Sequence, residues 1–266
     1  MNISGKKILA LVFAILILVG IVAAMIYSKS KYNTKKCKDI SCDIDYQNAP
    51  VLITPSDIIY EINKNLGKQE SKKIGNIDLQ CIDELLDKNP FLEKVNTSMS
   101  INGILKISAK QRVPILRYMT KEGRSLYLDK TGNVMPVYLS HPLKILVATG
   151  EISKGVGVGN NIFLQADSMK IKTDMNVYYN LHHVAQIIYA DSILAALIEQ
   201  VDVASDGYLK MITKAGSHVV MYGDTINAYE KFENLKYFYQ NALPKIGWDK
   251  YKKINLQYKN QIVCTK

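Results

Sequence analysis

Residues 95–114 read VNTSMSINGILKISAKQRVP, and this stretch decides the architecture. Asn102-Gly103 lies between two strand-like runs, 95–101 and 104–113. Asn-Gly at that place is a strong hairpin-turn signal. In the second run Leu105, Ile107 and Ala109 alternate with Lys106, Ser108 and Lys110. A period of two predicts one buried face and one wet face. Pro114 then marks a boundary, because it cannot donate to a continuing ladder.

Working upstream, Asn89-Pro90 stops a helix that Asp78 caps and that carries Leu79, Ile82, Leu85 and Leu86 at helical spacing. A polar loop, 68–75, separates it from an earlier helix. There Thr54 caps, Pro55 takes the first helical position, and Asp57 sits at the positive end of the dipole. Ile58, Ile59, Ile62 and Leu66 turn inward, and Gly67 ends the run. Residues 36–46 form a first strand, with Ile40, Cys42 and Ile44 alternating against polar neighbours. The order strand, helix, helix, strand, strand closes a small α+β unit over residues 37–112.

Downstream of Pro114 strands dominate. They are expected at 115–119, 125–128 and 134–137, with a turn at 129–132, then at 201–204, 208–213 and 218–222. A long loop follows Gly150 and contains Gly155, Gly157 and Gly159. Asp174 starts a helix with the inner stripe Val177, Leu181, Val184 and Ile188, and Asp191 caps a short helix to Glu199. A helix over 226–242 is closed by Pro244 and Gly247. The final strand is expected at 253–264, with Ile254, Leu256 and Tyr258 on one face. Residues 113–266 thus make a mostly antiparallel β-domain with helices.

Far upstream stands the most apolar run of the chain, residues 8–27, ILALVFAILILVGIVAAMIY, without a charge. Twenty helical residues reach about 30 Å, the hydrocarbon thickness of a bilayer. Ile8, Leu16 and Tyr27 mark the start, middle and end of this anchor. Residues 1–7 are then a short tail, 8–28 a transmembrane helix and 29–36 a linker. A cleavable signal peptide has a shorter apolar core, and here Met25-Ile26-Tyr27 continues past the small residues Val22-Ala23-Ala24. A buried core helix would show a polar stripe, which this run lacks. Lys6 and Lys7 precede the run, whereas Lys29, Lys31, Lys35, Lys36 and Lys38 follow it. Taken alone, that asymmetry favours the C-terminal side as cytoplasmic.

The formal charge of +10 is spread over scattered lysines, and no arginine-rich stripe interleaves with aromatics. Nucleic acid is therefore not expected as a partner; the lysines at 29–38 suit lipid head groups. Four cysteines at 37, 42, 81 and 264 are too few for a disulfide framework and form no C-x-x-C pair. A Cys37–Cys42 bridge stays open. The glycines at 155–159 lack the spacing of a dinucleotide loop. His182 and His183 are adjacent on a helix and diverge by about 100°, so they do not share a metal ion. His141 lies in a turn before Pro142, and His218 opens a strand; neither accompanies a nucleophile motif. No catalytic residue, cofactor, metal or small-molecule substrate is expected.

Several stretches, in order, resemble the FtsQ (DivIB) family of bacterial cell-division proteins, in a Bacteroidetes-like form. Asn89-Pro90-Phe91 through Val95 is similar to that family's approach to the hairpin of its POTRA unit. Gln111-Arg112-Val113-Pro114 resembles the family's E-R-x-P exit, with Gln111 in place of the usual acid. Tyr127-Leu128-Asp129 through Gly132 resembles its next hairpin. Gly223-Asp224, Lys231, Leu235, Gly247 and Ile254-Asn255-Leu256-Gln257-Tyr258 resemble its C-terminal segment, with Asn255 where aspartate is common.

The resemblance implies an α+β chain with one N-terminal transmembrane helix, a POTRA-like β-α-α-β-β domain and an FtsQ-type β-domain. It implies a non-enzymatic scaffold at the division septum, anchored in the cytoplasmic membrane with its large part outside the cytoplasm, against the lysine asymmetry. Its partners would be FtsB/FtsL-like single-span proteins and other divisome components. The final strand lies near the chain end and is expected as a sheet edge, open to a partner strand. Trp248, Tyr251, Ile254, Leu256, Tyr258 and Gln261 are the candidate partner contacts, although Ile254 and Leu256 also suit the core. Proline at Asn255 or Gln257 is expected to weaken binding. The alternatives are another POTRA-containing envelope assembly or transport factor, and a membrane-anchored hydrolase.

Overall fold

The computed structural model describes residues 5–137, 143–153, 155–164, 169–259 and 261–266, with side chains described from residue 12 and, in the helix that starts at 169, from residue 176. The side chain of Ile8, the His141-Pro142 turn and the Asp174 side chain lie outside the described residues. The chain divides into two compact units. The first takes Met1–Asp45, Ile53–Lys88 and Leu92–Lys110; the second takes Tyr46–Leu52, Asn89–Phe91 and Gln111–Lys266.

In the first unit, helix α1 (Gly5–Asn33) carries the apolar run. Its segment Val12–Asn33 is long and apolar enough to cross a bilayer, and none of it is buried in the protein. The helix continues through 29–33, in the stretch expected as a linker. Strand β1 (Asp39–Asp45), helices α2 (Pro55–Leu66) and α3 (Leu79–Leu86), and strands β2 (Leu92–Met99) and β3 (Ile104–Gln111) follow. The sheet order is β1-β3-β2, and β1 runs parallel to β3 with Ile40 beside Leu105 and Ile44 beside Ala109. Thr54 and Asp57 form a reciprocal cap: the Thr54 hydroxyl accepts from the Asp57 N–H, and the Asp57 carboxylate accepts from the Thr54 N–H. Such a cap stabilises a helix by about 1 kcal/mol. Asp78 caps α3 through the Cys81 N–H. Ile58, Ile62, Ile82 and Leu86 are buried with Leu105 and Ile107. The four cysteines are unpaired.

The second unit is a nine-stranded sheet covered by helices. Its strands are β4 (Pro114–Met119), β5 (Ser125–Asp129), β6 (Val134–Pro136), β7 (Leu146–Gly150), β8 (Ile198–Val203), β9 (Leu209–Thr213), β10 (Val219–Gly223), β11 (Lys253–Asn255) and β12 (Val263–Thr265). They are ordered β12-β11-β10-β9-β8-β7-β4-β5-β6. Pairing is antiparallel except at β4–β7, β7–β8 and β10–β11. Helices α4 (Met169–Ala190), α5 (Ser192–Leu197) and α6 (Ala228–Tyr237) share a core with the sheet, built on Leu116, Tyr118, Leu181, Val184, Phe232 and Ile254.

Helix α4 begins at Met169, so Asp174 lies inside it and does not start it. Four further expectations change. Strand β7 was not expected; it lies inside the sheet, flanked by β4 and β8, so its apolar run Ile145-Leu146-Val147-Ala148 carries no wet alternation to read. Helix α5 stops at Leu197, not Glu199, because the chain enters β8 at Ile198. Helix α6 passes into a π-helical turn (Phe238–Ala242) and then α7 (Leu243–Ile246), so Pro244 lies in the first turn of a new segment, where it costs no hydrogen bond. The expected final strand is two strands: the Asn255 carboxamide accepts from the Gln257 N–H at 2.8 Å, a local turn that takes the chain out of the ladder before it returns as β12.

Candidate docking edge

Two of the quoted motifs, at 111–114 and 127–132, meet in one polar cluster. Arg112 pairs with the buried Asp129 carboxylate at 3.1 Å. That carboxylate also accepts from the Thr131 and Asn133 N–H groups, both at 2.8 Å, and so shapes the β5–β6 turn. The Asp129 carbonyl lies 3.2 Å from His182 Nε2, and burial holds this ring's pKa below its ordinary value. Gln111 is fully buried; its Oε1 accepts from the Leu52 N–H at 2.7 Å, and its Nε2 donates to the Pro50 carbonyl at 2.9 Å. An ionised carboxylate in that place accepts only, so the amide suits a site that needs both roles.

The two edges of the large sheet are built differently. Strand β6 is covered by the glycine-bearing loop. Val134 N–H donates to the Asn160 carbonyl and Gly159 N–H to the Val134 carbonyl, both at 2.9 Å. Ile162 N–H donates to the Gly132 carbonyl, and Phe163 stacks on Tyr179 with centroids 5.4 Å apart. A Cβ on Gly155 would run into the Tyr178 ring, whose hydroxyl accepts from the Gly155 N–H and donates to the Ser153 carbonyl. Of these glycines, Gly155 lets the strap lie close against α4, and Gly159, at φ +82°, lets it turn.

Strand β12 pairs only with β11 among the described residues, so its other flank is open. Lys253, Ile254 and Asn255 face Thr265, Cys264 and Val263, while β10 occupies the far side of β11. The strand around Ile254 is therefore an inner strand, and the edge lies one strand further out than the sequence suggested. Ile254 is 0 % exposed and Leu256 is buried beside it, so neither reaches a partner; their core reading holds. Gln257 lies outside the ladder and Asn255 inside it, so proline at either position tests the chain's own packing and not an open edge.

The remaining candidates fall at the two ends of β10 and β11. At the start, Trp248 is 39 % exposed and packs against Tyr239 at 5.9 Å between centroids. Tyr251 is half-buried there. Behind them Tyr239 bonds to His218 Nε2 and lies 3.1 Å from the Thr213 hydroxyl. Burial pushes the Tyr239 phenol up to about 12, and holds the His218 ring below its ordinary pKa. At the other end Tyr258 is 51 % exposed and Gln261 is exposed. They border a cleft of ≈ 140 Å³ lined also by Ile226, Asn227, Glu230 and Ile262. Lys231 bonds to Asp224 at 2.7 Å and lies over the Tyr222 ring, which joins the separated residues Gly223-Asp224 and Lys231 into one clasp. A Cβ on Gly223 would meet the Gln257 side chain at 2.7 Å.

The open flank of β12 thus runs between two aromatic groups. Residues 263 and 264 were hidden at the end of one long expected strand that stopped short of Thr265, and Ile226 and Tyr229, both strongly exposed, were not singled out. The polar run Gln257 to Gln261 was the available sign of a break. Lys250, Lys252, Lys253, Lys259 and Lys266 are all exposed around the edge. Burial pushes the Cys264 thiol up, so it is held neutral.

The sequence matches the family described as FtsQ/DivIB, C-terminal related, over residues 113–265, which covers β4 to β12. No curated protein matches the chain.

Proposed function

Because the chain belongs to the FtsQ/DivIB, C-terminal related, family, a family of cell division, we propose that it is a non-enzymatic scaffold that recruits single-span division proteins of the FtsB/FtsL kind at the septum. Residues 37–112 serve as a POTRA-like unit, and residues 113–266 form the FtsQ-type β-domain that carries the docking edge. The large part stands outside the cytoplasm, tethered by α1.

One observation carries the binding mode: among the described residues, β12 has a pairing partner on one side only. A partner strand completes that flank with main-chain hydrogen bonds, and side chains at its two ends set the choice of partner. Tyr258 and Gln261 anchor one end, Trp248 and Tyr251 the other. The surrounding lysines favour a partner segment with acidic residues and keep two copies of the chain from pairing edge to edge.

Neighbouring strand residues point their N–H groups to opposite flanks. Val263→Pro and Cys264→Pro therefore separate the roles. One removes an outward donor and weakens capture of the partner by the detergent-solubilised full chain by about tenfold, or roughly 1.4 kcal/mol. The other removes a bond to β11 and lowers the melting temperature. Unchanged capture by both folded variants rejects the edge. Depletion of the protein in its host checks the wider reading: filamentation supports the scaffold, and normal division with an altered envelope supports an assembly or transport factor.

A further inference from the structure

Helix α1 does not leave the first unit through a loose tether. The Tyr32 hydroxyl donates to the Ser100 carbonyl at 2.6 Å, and the Ile74 N–H donates to the Lys35 carbonyl at 2.8 Å. Lys36 forms a bridge with Lys73, and Lys38 N–H donates to the Gly103 carbonyl at 2.8 Å. The close fit extends to side chains: a Cβ on Gly75 would stand 3.0 Å from that of Asn33. The β2–β3 turn is therefore fastened beside the last turn of the anchor.

Tyr32 follows the end of the apolar run by five residues, about 7 to 8 Å along a helix axis. A bilayer's hydrocarbon core of about 30 Å sits within a total of about 40–45 Å, so each head-group layer is about as thick as that step. With α1 in a bilayer, and the Tyr32 side chain leaning back toward the helix N-terminus, the turn it holds lies within the head-group layer. At its tip Ile101 is 87 % exposed. A lone exposed isoleucine is ordinary; one fastened beside a membrane span is placed where its apolar surface has somewhere to go.

Charge points the same way. Residues 29–38 contain five lysines and no acid. Lys29, Lys31, Lys35, Lys36, Lys38 and Lys73 are exposed. Of the nearby acids, Asp39 is turned to its own chain, accepting from the Ile40 N–H at 2.8 Å, and Glu70 is exposed. We propose that the first unit rests on the anionic phospholipid surface of the leaflet that α1 leaves, with the lysine collar on phosphate groups and Ile101 dipping beneath them. Basic side chains next to a span gain from negatively charged lipid within a Debye length of the surface. The contact fixes how the first unit stands, and it needs neither a partner protein nor the docking edge.

The test uses the full chain in lipid nanodiscs. Ile101→Trp adds a reporter to the single native Trp248. Acyl-chain bromines just below the head groups should at least halve the added emission in discs with a quarter phosphatidylglycerol. Pure phosphatidylcholine should give less quenching, and so should the combined change Lys35→Glu, Lys36→Glu and Lys38→Glu, whose side chains are exposed. In the unsubstituted chain, amides 100–103 should exchange more slowly in the anionic discs. Emission untouched by bromine, or quenching and exchange indifferent to lipid charge, overturns the proposal while leaving the anchor in place. A chain that fails to enter nanodiscs overturns the anchor and this contact together.

Discussion

The outer strands of the large sheet, β6 and β12, face the same physical problem and meet it in opposite ways. An unpaired strand offers free N–H and C=O groups to any passing chain. At β6 the protein covers them with its own loop, through Val134, Asn160 and Gly159, and ends the strand at Pro136, which has no donor. At β12 the flank is left bare, among exposed lysines that discourage self-association. The contrast teaches that exposure at β12 is selective: the same sheet contains the means of closing an edge and uses it only at the other end.

The strongest way to break the contrast is to undo the covered edge. Arg112→Ala leaves the Asp129 carboxylate buried without its cation, which destabilises by about 3–5 kcal/mol. Since Asp129 shapes the turn that leads into β6, the variant should also aggregate. Denaturant unfolding and light scattering read both effects; a stable, monomeric variant would show that the ion pair does not organise that edge.

A smaller change aims at the strap. Gly155→Ala pushes a methyl group into the Tyr178 ring and should cost about 1–3 kcal/mol. Hydrogen exchange should rise at β6 amides and stay constant at β12. Equal acceleration at both edges would mean that the strap supports the whole sheet.

Exposed aromatics near the two edges sharpen the comparison further. Phe163, stacked on Tyr179, should contribute to stability, and Tyr258 to binding. Tyr258→Ala is expected to weaken partner capture by about 1–2 kcal/mol with an unchanged melting temperature. Phe163→Ala should do the reverse. Identical behaviour in titration calorimetry and thermal melts would erase the distinction.

The smallest expected effect concerns protons. One buried histidine lies behind each end of the sheet, His182 at the Asp129 carbonyl and His218 at Tyr239. Burial lowers both pKa values from the ordinary figure of about 6.5. Above that pH both folded and unfolded forms are neutral, and the rings add no pH dependence. As pH falls through about 6.5 the unfolded chain takes up protons first, so stability is lost toward the lower folded values. Melting temperatures should drop between about pH 7 and pH 5, and His182→Gln or His218→Gln should each flatten the curve. A slope that survives both substitutions would assign it to carboxylates.

What the sequence made legible was local. Asn102-Gly103, the caps at Thr54, Asp78 and Asp191, and the alternation in β3 each act within a few residues, and each stands where the pattern placed it. Strand β7 escaped because an inner strand between parallel neighbours needs no polar face. The division of β11 from β12 escaped because it depends on a single carboxamide, Asn255, turning back on its own chain. At the site, Tyr258 and Trp248 could be picked as exposed aromatics, but their position at opposite ends of one flank follows from strand order. Strand order is set by contacts between distant residues, such as Val220 with Ile254, which no local window contains.

That last pairing has a consequence for synthesis. Strand β11 adds to β10 only after residue 253 has been made, and β12 closes on it still later. A growing or prematurely ended chain carries its anchor and most of its sheet, yet displays β10 at the rim in place of β12. The rim of the sheet therefore changes identity during synthesis: the flank that β10 shows first is covered once residues 253–265 are in place.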